Sequence, residues 1–107
     1  MVIEYKLNLL LKKFNNFKIA DMPYNEIEKE IFAELDLLYF DLYGQLTNKK
    51  KFPPFDLKYP KECTKRINNF IVQLGKENFK KNKKLFNWHL LCLKAIKLME
   101  RFNKNEN

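Results

Sequence analysis

The chain has 107 residues, a formal net charge of +8 and 46 % hydrophobic residues, a balance that fits one domain with one core and excludes a disordered chain. Its pure apolar runs, such as Leu90-Leu91-Cys92-Leu93, fall far short of the ~20 residues a membrane span requires. Serine is absent and glycine occurs only at Gly44 and Gly75, which leaves no serine nucleophile and no phosphate-cradling glycine loop.

Ile3, Leu7, Leu10, Leu11, Phe14 and Phe17 follow helical spacing and predict a first helix over 3–17. No basic segment precedes Leu9-Leu10-Leu11 and no small-residue cleavage site follows it, so this start does not read as a secretory leader. After the break at Lys18 to Met22, Asp21 is the expected N-cap and Pro23 the expected first-turn residue of a second helix over 23–43, ended by Gly44. Ile27, Ile31, Leu35, Leu38 and Leu42 form its inward stripe, and Phe32, Leu37, Tyr39 and Phe40 widen it. A helix apolar over so much of its circumference is either central or covered by a partner.

Residues 45–60 read as a long Pro/aromatic loop. Pro53-Pro54 favours an extended stretch between Phe52 and Phe55, with Tyr59 beyond and Lys49-Lys50-Lys51 before it. These aromatics either meet a partner or fold down to cap the open end of the bundle. A third helix is expected over 61–75 with Cys63, Ile67, Phe70, Ile71 and Leu74 inward; it ends at Gly75 or runs on to about Lys81. A last helix over 84–102 follows, with Leu93 read as inward like Leu35, and 103–107 is expected to fray. No stretch alternates like a half-buried strand. The expected fold is all-α: a small antiparallel bundle of about four helices, up-down-up-down.

Charge is divided unevenly. Between Asp21 and Asp41 seven acidic residues face Lys29 alone, a net of −6, while the rest of the chain carries +14. Nineteen of the 21 basic residues are Lys, which meets phosphate as a point charge and not as a bidentate fork. Lys, Asn, Ile, Phe and Tyr, the residues of AT-rich codons, are all abundant, so base composition accounts for a share of this charge. In the last helix Lys94, Lys97, Arg101 and Lys104 step by 3, 4 and 3, and Lys84, Lys83 and Lys80 continue the line backwards past Leu90 and Leu91. Lys80, Lys83, Lys84, Lys94, Lys97 and Arg101 are therefore the candidate nucleic-acid contacts, with Lys12 and Lys13 on the first helix as the reference pair for bulk charge. The same row also reads as an ordinary solvated face. Glu26, Glu30, Glu34 and Asp41 form an acidic row on the second helix; with Leu37, Phe40, Phe52 and Phe55 they are the candidate partner-binding residues.

Metal and catalytic readings find little support. His89 is the sole histidine; it could share a face with Cys92, and Cys63 could approach, but a fourth ligand is missing. The two cysteines have no metal or redox spacing and read as free cytosolic thiols. Glu30 and Glu34 share a face, but the Glu-x-x-His motifs of a carboxylate-bridged metal site are absent. No cofactor and no metal is expected. The sequence points to a non-enzymatic, cytoplasmic helical module on nucleic-acid backbone, DNA or RNA, within a larger nucleoprotein assembly. The alternative is a protein–protein module, an adaptor, inhibitor or self-associating subunit, using the acidic helix and the aromatic loop.

Overall fold

The computed structural model describes residues 2–17, 24–48 and 54–104. These form five helices and no strand: α1 (Val2–Asn16), α2 (Glu26–Thr47), α3 (Lys58–Leu74), α4 (Lys76–Lys81) and α5 (Lys83–Asn103). The all-α class holds, with a short fifth helix added between the third and last long ones.

α1 buries Ile3, Leu7, Leu10 and Phe14, one line at spacings of 4, 3 and 4, with Leu11 and Phe17 half-buried beside it. α2 starts later than its apolar pattern implies. Its N-cap is Asn25, whose side chain accepts from the Glu28 N–H at 2.8 Å while Glu28 Oε1 accepts from the Asn25 N–H at 3.3 Å. This reciprocal box satisfies first-turn donors that Asp21 was expected to serve; Asp21 and Pro23 lie outside the described residues. α2 also runs through Gly44 to Thr47. Leu46 is buried two residues past the glycine expected to stop the helix, and its burial outweighs the ~1 kcal/mol helical cost of glycine.

α3 begins at Lys58 with Pro60 inside its first turn, where an amide N–H has no intrahelical acceptor to lose. It ends at Gly75, whose φ of 95° departs from any helix, and the chain resumes at once as α4, which buries Phe79. Asn82 caps α5, accepting from the Leu85 N–H at 3.3 Å. α5 turns Leu85, Trp88, His89, Cys92, Ala95, Ile96 and Met99 inward, whereas Leu93 is only half-buried. One position of rotation separates it from the buried face, which corrects its inward assignment.

Long-range contacts fix the helix directions. Asn82, before α5, donates to Glu28 at the start of α2 at 2.6 Å. At the other end Asn103 closes a two-bond clasp with the Phe55 backbone (2.7 and 2.9 Å), and Gln45 makes a similar clasp with Asp56 (2.7 and 2.9 Å). α2 and α5 therefore run the same way. α3 leaves from their far end and returns, and α1 lies with Phe17 against Trp88 and its start towards Arg101, so both run opposite to α2. This is the up-down-up-down order.

The core is aromatic at its centre. Trp88 meets Phe32, Tyr39 and Phe17 at centroid distances of 5.3, 5.8 and 6.3 Å, and Phe14 stacks on Tyr39 at 4.8 Å. The Tyr39 hydroxyl donates to the Phe14 carbonyl near the C-terminus of α1, which also accepts from the Phe17 N–H at 3.3 Å. The expected 45–60 loop is shorter than that range, since helices take both of its ends. Phe55 is 6 % exposed and packs on Phe102 at 5.3 Å, so it caps the bundle and is not presented to a partner. Phe52 lies outside the described residues. No described helix is long and apolar enough to cross a membrane.

Candidate functional site

α1 and α5 pack antiparallel, and their outward faces meet along a groove of about 940 Å³. In α5 the lining positions Asn87, Leu91, Lys94, Leu98 and Arg101 step by 4, 3, 4 and 3, turned away from inward-facing Trp88, Cys92, Ala95 and Met99. In α1 the steps from Lys6 through Leu9 and Lys13 to Asn16 are 3, 4 and 3. The apolar floor is Leu9, Leu10, Leu91 and Leu98, closed at one end by Phe17.

Lys6, Lys12, Lys13, Lys94, Lys97 and Arg101 contribute six cations to this groove, and no carboxylate lines it. Among the described residues none of the six makes an ion pair. Four of the described basic residues elsewhere are engaged, among them Arg66, whose Nε donates to both Glu34 carboxylate oxygens at 2.8 Å, and Lys61, which meets Glu100 at 3.0 Å. Six like charges beside a low-dielectric floor raise the positive potential in the groove, and Glu100, which pairs with Lys61, lines the adjoining cleft with Lys13, Lys94 and Lys97.

The structure regroups the basic residues expected from sequence. Lys94, Lys97 and Arg101 line the groove. Lys83 and Lys84 are exposed in the first turn of α5 outside the lining, and Lys80 sits on α4, 3.8 Å from Glu77. The break at Asn82 divides what reads in sequence as one row. Half of the cationic lining comes from α1, through Lys6, Lys12 and Lys13. Lys12 and Lys13, the reference pair for bulk charge, belong to the same site as Lys94 and Lys97. Their helical spacing is visible in the sequence; the antiparallel contact that sets them opposite α5 is not.

The acidic row of α2 also divides. Glu34 is turned towards α3 by Arg66, whose Nη2 also reaches Cys63 Sγ at 3.4 Å, and Asp41 accepts from Gln45 at 2.9 Å. Glu26 and Glu30 stay exposed, Glu26 beside Lys29 at 3.3 Å. Leu37 and Phe40 are 52 % and 75 % exposed, on one face with exposed Ala33 and Gly44.

The thiols and the imidazole sit in the interior. Burial pushes Cys92 up to about 12 and raises Cys63, so neither is a ready thiolate. His89 is held below its ordinary pKa by burial, stands edge-on to Phe79 at 5.6 Å, and its Nε2 has no hydrogen-bond partner among the described residues. Among the described residues no three His, Cys, Asp or Glu side chains gather as a metal site. Comparison of the chain with protein-family models, curated proteins and solved structures gives no match.

Proposed function

We propose that the protein is a non-enzymatic, cytoplasmic helical module that binds nucleic-acid backbone in the α1/α5 groove, as a subunit of a larger nucleoprotein assembly. The observation that carries this reading is the set of six cations, three from each helix, without a carboxylate among them. Side chains one turn apart on a helix stand ~5–6 Å from one another, comparable with phosphate spacing along a strand. Five of the six cations are lysines, so the contacts are to phosphate and tolerate any sequence.

The test is binding of a labelled single strand and a labelled duplex at low salt, with charge reversal on each wall separately. Lys94→Glu with Lys97→Glu, and Lys12→Glu with Lys13→Glu, each weaken binding about tenfold or more, alike for all sequences. Lys58→Glu with Lys65→Glu, exposed on α3 away from the groove, leaves it within about twofold. Equal weakening by all three pairs reduces the attraction to net charge and removes the site.

A further inference from the structure

We infer that the exposed face of α2 docks into the α1/α5 groove of a second copy of this chain, so that self-association and anion binding compete for one site. Ala33, Leu37, Phe40 and Gly44 lie at spacings of 4, 3 and 4, the pattern of a helix laid in a groove. Leu37 and Phe40 project from this stripe, and the small residues at its ends let the α2 backbone approach closely. Exposed Glu30 and Asp36 flank the stripe, and Glu26, paired with Lys29 at 3.3 Å, stands at the start of α2.

The groove is the complement of that face on both counts. Its floor of Leu9, Leu91 and Leu98 receives Leu37 and Phe40, and its lysines receive the carboxylates. Within one copy the contact is impossible. The stripe stands on the side of α2 opposite Leu35, Leu38 and Leu42, which face the core shared with α5. The contact is therefore between copies and joins two different surfaces. Such a head-to-tail interface leaves one stripe and one groove open in any pair, so it grows into a ring or an open chain. Two α2 helices meeting face to face would instead stop at a dimer.

The experiment is sedimentation velocity on the full chain from micromolar to millimolar concentration, at low and high salt, with circular dichroism confirming that each variant is folded. The wild-type chain passes beyond the mass of a dimer at low salt and shrinks in high salt. Leu37→Asp with Phe40→Asp, which lacks the stripe, is monomeric; so is Lys94→Glu with Lys97→Glu, which has lost the cationic groove. An equimolar mixture of the two variants forms a one-to-one heterodimer and nothing larger, because one supplies the intact groove and the other the intact stripe. A wild-type chain that stays monomeric overturns the inference, as does a groove variant that still dimerises or a mixture that does not associate. The stripe variant keeps its groove and its affinity for a labelled strand, so failure of self-association leaves the nucleic-acid reading standing, and loss of strand binding leaves the self-association test unaffected.

Discussion

Gly44 and Gly75 have opposite relations to the backbone around them. Gly75 holds φ at 95°, a region closed to most side chains, and an added Cβ would meet Asn78 Nδ2 at 3.4 Å, an ordinary contact. The obstacle at Gly75 is thus backbone strain and not crowding: Gly75→Ala costs about 1–2 kcal/mol in chemical denaturation. Gly44 sits in the last turns of α2 with open space at its Cβ, so Gly44→Ala raises stability by about 0.5–1 kcal/mol. In sequence both glycines punctuate apolar patterns and look alike; in the structure the positive φ of Gly75 and the helical continuation through Gly44 to buried Leu46 separate them. His89 gives a pH signature. Unfolded, its imidazole titrates near 6.5, and burial lowers that value in the folded chain. Below pH ~6.5 the unfolded chain binds a proton that the folded chain resists, so stability falls as pH drops through that window and is unaffected above it. Urea midpoints between pH 7.5 and 5.5 measure the loss, and His89→Gln flattens it.

Helices were legible in the sequence through their period, and their ends were not. Ile31, Leu35, Leu38 and Leu42 are all fully buried, as their spacing requires. Leu35→Ala therefore costs about 2–5 kcal/mol, read from equilibrium unfolding, while half-buried Leu93→Ala costs less. The N-terminus of α2 differs from the expected one because Asp21 was the cap expected before Pro23, whereas the capping box closes between Asn25 and Glu28, three residues apart. Asn25→Ala accordingly lowers stability by about 1 kcal/mol. The clasps of Asn103 on Phe55 and Gln45 on Asp56 join residues 48 and 11 positions apart, and nothing local in the sequence announces them. They explain why the Pro/aromatic segment caps the bundle through Phe55.

At the scale of the molecule, the groove is a product of topology. Each wall is an ordinary amphipathic helix whose polar face is rich in Lys, and read singly each is a solvated surface. Antiparallel packing of α1 on α5 brings Lys6, Lys12 and Lys13 beside Lys94, Lys97 and Arg101. The sequence row displays the α5 half of this lining through Lys94, Lys97 and Arg101; its other members lie outside the lining, Lys83 and Lys84 in the first turn of α5 and Lys80 on α4, beyond the break at Asn82. The measurement that tests the groove most directly is the salt dependence of strand binding, with two cations neutralised at a time. If all six cations meet phosphates, the log–log slope is about −4 on single strands and about −5 on duplex. Lys94→Gln with Lys97→Gln and Lys12→Gln with Lys13→Gln then each reduce its magnitude by about 1.4 on single strands, and Lys58→Gln with Lys65→Gln leaves it unchanged. A slope that falls equally for the α3 pair, or that does not change for either groove pair, contradicts the account.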